Sequence, residues 1–323
     1  MKAYRSLVVP TLVTALGLVV CLPTAAAATS LAASGTRQHP PRLRWRGPEG
    51  VPLPFRDSAD AVDFLRNATI VSVDEVGEGS TRPKKVLLER DGVRAHAIFR
   101  SFERVQERVV DPDTGQTRFQ PFKDSALFEA AAYELATMLD LPFVPPTTRR
   151  VVDNRDGTLQ LWIESAMSET QRQERGIEPP NATWWRGVLQ ALVIFDNLAS
   201  NADRNTTNLL IDPDWGVWFI DHTRAFQQDR DLRNPEHIGF IERRLFRLLR
   251  DLPDADIRER MSPYLDGREI GALLRRRARI VEHIETLIER QGEGAVLFDY
   301  SYNIDDWRPE GAAAVGLQSQ QGS

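Results

Sequence analysis

The chain has 323 residues, 41% hydrophobic and 27% charged, with a net charge of -5 at pH 7. That is ordinary globular composition and excludes collagen-like, coiled-coil and wholly disordered chains. The acidic balance also excludes a general nucleic-acid binder, which needs a basic surface to neutralise phosphates.

Residues 1–28 read as a secretory signal peptide. Lys2 and Arg5 precede the uncharged apolar run Leu7–Leu22, and the small residues Ala26, Ala27 and Ala28 supply an A-x-A-like cleavage region. The apolar run is shorter than the ~20 residues a span requires. Cys21, the sole cysteine, has Val20 before it where lipidation asks for a small residue, and cleavage would remove it. The expectation is an exported protein, periplasmic or secreted, that is not an integral membrane protein after processing. Its stability would come from its core or a metal rather than from disulfides.

Residues 29–56, rich in Pro, Arg and Gly, read as a linker. A short helix capped by Asp57 or Ser58 and running to Arg66 should follow. Ala68–Val76, Lys84–Arg90 and Arg94–Phe102 carry strand signals, and the last two flank the hairpin dipeptide Asp91-Gly92. Ser125–Leu139 has helical apolar spacing, and Pro142, Pro145 and Pro146 end it. A second hairpin covers Val151–Ile163. Residues 57–166 are thus predicted as a sheet-rich lobe with one long helix.

Residues 167–306 should be helix-rich. Thr183–Leu198 is a strongly apolar helix. Leu209–Ile211 and Val217–Ile220 are short strands around Asp212-Pro-Asp214. Ile241–Leu252, Asp256–Tyr264 and Arg268–Arg290 are helical by pattern. Met167–Asn181 reads as an exposed insertion and Arg275–Arg279 as a solvated helix face. Trp184, Trp185, Trp215 and Trp218 read as core, and residues 307–323 as a disordered tail. A sheet-rich lobe followed by a helical one is an α+β arrangement with a cleft between the two.

The chemistry concentrates in Phe195–Phe226. Asp203 and Asn208 lie five residues apart between an apolar helix and a strand, and Asp221 follows the next strand. Phosphoryl transfer needs a carboxylate to take the acceptor hydroxyl's proton, and an Asn and a second Asp to hold a divalent ion against nucleotide phosphates. Hard oxygen ligands suit Mg2+ or Mn2+. Singly, each residue reads better as a turn cap; together and in this order they point to a site. A His/Cys metal hydrolase has no support, since no ligand-spaced cluster is present.

The run Asp203-Arg-Asn-Thr-Thr-Asn208, followed by Ile220-Asp221-His222-Thr223, resembles the D-R-H-x-x-N and D-F-G-like elements of phosphatidylinositol 3-/4-kinase-like atypical kinases. It is also similar to the N-x-D-R-H and L-D-N-G-R-G-F elements of the Four-jointed and secreted casein kinase family of secretory-pathway kinases. Upstream, Phe128–Leu135 with Leu141 and Val144-Pro-Pro146 resembles that family's E-x-A-A-F-x-L…L-G-x-x-x-V-P-P segment. The likeness runs as scattered motifs over roughly residues 76–226.

The resemblance implies a two-lobed protein-kinase-like fold that uses ATP with Mg2+ or Mn2+. Asp203 would be the catalytic base, Asn208 and Asp221 metal ligands, and Glu129 the helix carboxylate facing the nucleotide. The family's phosphate-binding lysine would fall at Arg100, which keeps the charge but not the ammonium geometry. Lys84 or Lys85, one strand earlier, is the alternative. Asn205 and His222-Thr223 also depart from the pattern. Gly77, Gly79 and Ser80 read as a phosphate-draping loop or a plain turn, and the backbone around Glu164–Ala166 as the adenine-contacting hinge.

The expected function is an exported phosphotransferase moving the ATP γ-phosphate to a hydroxyl acceptor: protein, lipid head group or sugar. The alternatives are a weak or inactive pseudokinase that binds a nucleotide or partner, favoured by Arg100, and a metal-dependent phosphohydrolase.

Overall fold

The computed structural model describes residues 45–76, 83–106, 109–110, 117–118 and 122–307. The expected signal peptide with Ala26, Ala27 and Ala28, the loop residues Gly77, Gly79 and Ser80, and the tail beyond Trp307 lie outside the described residues.

The sheet lobe starts with helix α1 (Ser58–Asn67), whose first turn is capped by Asp57 accepting from the Asp60 amide at 3.0 Å. Strands β1 (Thr69–Glu75), β2 (Lys84–Arg90) and β3 (Val93–Arg100) follow. Asp91 and Gly92 join β2 to β3 with φ of 54° and 78°, the left-handed pair that a two-residue hairpin demands. Short strands β4 (Glu103–Gln106), β5 (Val109–Val110), β6 (Thr117–Arg118) and β7 (Phe122–Ser125) lead into helix α2 (Leu127–Met138). The helix begins two residues after the expected cap, although Ser125 Oγ still accepts from the Leu127 amide at 3.3 Å. Strands β8 (Thr147–Val152) and β9 (Arg155–Leu161) complete a five-stranded antiparallel sheet of order β1-β2-β3-β9-β8.

Side chains alternate across a sheet, so register assigns each residue to a face. Val86, Leu88, Ala95, Ala97, Phe99, Leu159 and Leu161 share the face that buries Phe64 and Leu65 of α1. Lys85, His96, Ile98, Arg100, Thr158 and Gln160 share the other, against which α2 packs through β8 and β9. Gly157 is required beside Arg100: a Cβ there would stand 2.1 Å from the Arg100 carbonyl oxygen. The last residues of the Pro- and Arg-rich stretch are packed too, with Trp45 buried against Trp218 and Phe55.

The helical lobe opens with β10 (Met167–Ser168), α3 (Glu169–Glu174) and α4 (Ala182–Ala199). Met167–Asn181 is therefore not the bare exposed insertion expected. Ser168 forms a capping box with Gln171, and Glu169 pairs with Arg172 at 2.6 Å with both residues buried. Strands β11 (Leu209–Ile211) and β12 (Val217–Phe219) form a three-stranded sheet with β10.

Ile241–Glu242 is strand β13 rather than the first turn of a helix, because it pairs in parallel with β14 (Leu297–Phe298). Helices α5 (Arg243–Asp251), α6 (Asp254–Met261), α7 (Gly267–Gln291) and α8 (Glu293–Val296) fill the interval between them. Arg276, expected on a solvated face, is fully buried inside α7. The four tryptophans expected in the core are buried. No helix among the described residues is long and apolar enough to cross a membrane.

Candidate active site

Helix α4 ends where Ser200 turns left-handed at φ 50°, and this releases the loop that carries Asp203. Asn201 holds the loop in place by accepting from the Asp203 amide at 3.1 Å. A single 3-10 turn, Thr206–Asn208, then delivers Asn208 to the start of β11. Asn208 donates from Nδ2 to the Asp203 carbonyl at 3.1 Å, and its own carbonyl accepts from the Ile220 amide. The Asp203 loop and the Asp221 loop are thereby stitched together. Arg204 clamps both from behind, donating to the Asn208 carbonyl at 2.6 Å and the Ile220 carbonyl at 2.9 Å, with Asp196 as its counter-ion.

Asp221 itself sits at φ 59°, a left-handed conformation that a non-glycine residue holds only where its surroundings enforce it. Burial raises its carboxyl above the ordinary range. Glu129 and Asp203 add to the shift, and Arg100 offsets only part of it. Among the described residues Thr223 Oγ1 donates to it at 3.4 Å. A half-buried carboxylate in this company is short of positive charge.

The sheet lobe supplies Arg100 and Glu129. Glu129 is fully buried in the first turn of α2, with Arg100 Nη1 at 3.5 Å from Oε1 and His222 Nδ1 at 3.5 Å from Oε2. Burial alone would raise its pKa; Arg100 and His222 together outweigh it and hold the carboxyl well below the ordinary glutamate range. Glu129 is therefore held buried by its partners.

Lys84 and Lys85 lie on opposite faces of the sheet. Lys84 points away from the Arg100 face and pairs with Asp153 at 2.8 Å. Lys85 shares that face, its Nζ lying 4.6 Å above the Trp162 ring. Glu164 is engaged by His96 Nδ1, and Ala166 is half-buried on the segment joining β9 to β10. Lys85 and Glu164 thus find their partners in Trp162 and His96 rather than in the Asp203 cluster.

The structure brings together Asp203, Asn208, Asp221, Arg100 and Glu129. It adds residues that spacing could not assign. Arg224 donates to Asp203 Oδ2 at 3.1 Å and to Asp124 Oδ2 at 3.3 Å. Arg204 and His222 fell inside quoted motifs but without a role. Asp124 and Asp196 carry no local signal at all; only tertiary contact reveals them.

Asp221 and the Oδ1 of Asn208, which accepts only a long 3.5 Å bond from Thr207 Oγ1, present oxygen donors of the kind Mg2+ or Mn2+ takes. Among the described residues no group of three or more His, Cys, Asp or Glu is placed to hold a metal. Two protein ligands suit an ion whose remaining ligands come from phosphates and water. The donor set and the uncompensated Asp221 carboxylate fit such an ion. Cavity size would not have found this site. A cavity of about 520 Å³ lies elsewhere, by the end of α2, between Trp45, Tyr133, Asp140, Trp218, Arg244 and Tyr302.

The antiparallel sheet lobe followed by the helical lobe makes this a kinase-like fold. Solved structures agree. The chain superposes on hydra Fam20, solved with a sugar, at TM-score 0.53 and 13% identity, over 76% of this chain and 93% of that one. It superposes on a Golgi casein kinase, solved with Mn/ADP bound, at TM-score 0.51 and 16% identity, over 77% of this chain and 80% of that one. No protein-family model and no curated protein matches the sequence.

Proposed function

We propose that the protein is an exported kinase-like phosphotransferase that moves the γ-phosphate of ATP to a hydroxyl acceptor. The observation that carries the reading is the convergence of Asp203, Asn208 and Asp221 beside the Arg100–Glu129 pair. The Golgi casein kinase that shares the fold was crystallised with Mn/ADP, which supports a nucleotide and a divalent ion as cofactors.

In this reading the acceptor oxygen forms a bond to the γ-phosphorus while the bond to the β–γ bridging oxygen breaks and ADP leaves. Asp203 takes the hydroxyl proton on a carboxylate oxygen. Arg100, held by Glu129, meets phosphate oxygens as a planar fork. Asn208 and Asp221 would hold the Mg2+ or Mn2+, which would supply positive charge to offset that of the phosphates. Lys85, Glu164 and Ala166 form the nucleotide wall of the sheet lobe, with Gly77, Gly79 and Ser80 as the covering loop. Residues 1–28 act as the signal peptide and 29–56 as the linker. Residues 57–166 and 167–306 are the two lobes, and the acceptor is a protein, lipid head group or sugar. Exported protein should begin between Ala27 and Ser34, which intact mass determines.

A second reading, a nucleotide-binding pseudokinase, is favoured by two observations. Arg100 stands where an ammonium is expected, and Arg224 occupies the candidate base at 3.1 Å. The deciding experiment incubates the protein with γ-labelled ATP and Mg2+ or Mn2+. Label in protein, lipid or sugar supports the transferase. Nucleotide binding without transfer supports the pseudokinase, and label released only as free phosphate supports a phosphohydrolase.

A further inference from the structure

Behind the reacting residues runs a line of charged and polar side chains that crosses from one lobe to the other. Asp196 on α4 takes Arg204 through Nε at 2.8 Å and Nη2 at 3.1 Å. The same Nη2 lies 3.1 Å from His222 Nε2. His222 Nδ1 faces Glu129 Oε2, and Glu129 Oε1 faces Arg100 Nη1, each at 3.5 Å. His222 and Glu129 are both fully buried.

A guanidinium carries only donors, so the ring nitrogen that Arg204 meets must present its lone pair. The proton of His222 therefore sits on Nδ1, aimed at Glu129. Packing does not require this arrangement. The imidazole meets Phe195 edge-on at 5.6 Å, a contact that a phenyl ring would make equally well. What a phenyl would lose is the only link in this line between the helical lobe and Glu129. The link has slack: Glu129 Oε1 and His222 Nδ1 are buried without a hydrogen bond. Contacts at such sites are often long without ligand and shorten when it binds.

We propose that His222 is a positioning residue which, through its Nδ1–H and Glu129, holds Arg100 in place for the nucleotide phosphates. The proposal rests on the kinase-like reading of the site.

Two measurements test it. The first does not depend on nucleotide: long-range 1H–15N NMR of the histidine-labelled full chain, with its five histidines, and His222→Phe to assign the signal. The expected signature is the Nδ1–H tautomer; an Nε2–H tautomer or a doubly protonated ring overturns the proposal.

The second is calorimetric titration with Mn·ATP. His222→Phe should fold and bind roughly tenfold more weakly, as expected when an aligned group is released. Glu129→Gln also breaks the Arg100 pair, but added to His222→Phe it should cost less than it costs alone, because part of the link is already cut. His222→Asn, whose amide donates toward the same carboxylate, should recover most of the loss. Independent, multiplying effects of the two substitutions, or no recovery with Asn, would reduce His222 to a space-filler. If His222→Phe does not fold, the Asn variant and the tautomer decide. A wild-type chain that binds no nucleotide removes the kinase-like reading and this role with it. A wild-type chain that binds, alongside variants that bind equally well, removes only the role of His222.

Discussion

Arg224 bridges two carboxylates from different parts of the chain, donating from Nη1 to Asp203 Oδ2 at 3.1 Å and from Nε to Asp124 Oδ2 at 3.3 Å. Asp124 belongs to β7 in the sheet lobe and Asp203 to the helical lobe, so one side chain fixes the candidate base relative to both. An orienting partner of a base contributes by geometry, and its loss shows in turnover more than in nucleotide affinity. Arg224→Gln should therefore lower label transfer by roughly tenfold while leaving Mn·ATP affinity within about twofold. Faster transfer in the variant would mean that Arg224 restrains Asp203 instead.

The Arg100–Glu129 pair spans strand β3 and helix α2 with the carboxylate fully buried. Removing Arg100 leaves the buried Glu129 carboxylate with only His222 and Gln160 near it, and removing Glu129 takes away the carboxylate that Arg100 pairs with. Arg100→Gln and Glu129→Gln should each weaken Mn·ATP binding, and the double variant should be less impaired than the product of the two. The coupling expected is about 1–3 kcal/mol. Plain additivity would shift the phosphate-binding role to Lys85.

The three loop residues separate by readout. Asp221→Ala should abolish metal-dependent ATP binding, because a hard dication loses its one anionic protein ligand. Asn208→Ala loses a neutral donor and should fall between that and wild type. Asp203→Ala should bind nearly as wild type and transfer nothing. A thermal-shift titration of ATP with and without Mn2+, run beside the labelling assay, distinguishes all three. Indifference of both readouts to Asp221→Ala would eliminate the site.

Much of this was legible because local rules govern it. Asp91-Gly92 fixes its hairpin through backbone conformation, and the order Asp203, Asn208, Asp221 survives folding because a short strand pair folds the chain back on itself. What escaped was non-local. The resemblance marks Glu129, but its partners Arg100 and His222 arrive from distant segments and have no local signal at Glu129. Lys84 and Lys85 cannot be told apart without the register that puts them on opposite faces. Met167–Asn181 looks exposed by composition because its buried charges, Glu169 and Arg172, satisfy each other. Arg276 misleads similarly, since an arginine run gives no sign that one member points inward.

Arg276 offers a stability test. Its guanidinium donates to the carbonyls of Leu198 at 2.8 Å, Gln227 at 2.9 Å and Asp229, tying the end of α4 to the chain just past the Asp221 loop. Burial lowers its pKa to about 9, so the charge is costly and these acceptors are what retain it. Arg276→Met keeps the stem's packing but strands three carbonyls. A loss of about 3–5 kcal/mol is expected, which for a domain of this size lowers Tm by roughly 10 °C. A change of only a degree or two in a thermal melt would show that water takes over those bonds.

Asp212 gives the pH test. It is buried at the turn between β11 and β12, accepting from the Asp214 and Gly216 amides at 2.9 Å and 2.7 Å and from Trp218 Nε1 at 2.9 Å. Burial nonetheless dominates these three donors and raises its pKa from 3.8 to about 6. The folded state thus holds this proton more tightly than the unfolded chain. The stabilisation from protonation is complete below about pH 4, declines as pH rises through about 6, and is gone above it. Asp212→Asn removes the titration while retaining an oxygen for the two amides. Between pH 7.5 and pH 5, wild type should gain about 1 kcal/mol in urea-unfolding stability relative to the variant. Taking the difference between the two proteins cancels carboxylates such as Glu129, whose lowered pKa acts in the opposite direction. Equal pH slopes for the two proteins would mean that the three donors, and not burial, set the charge of Asp212.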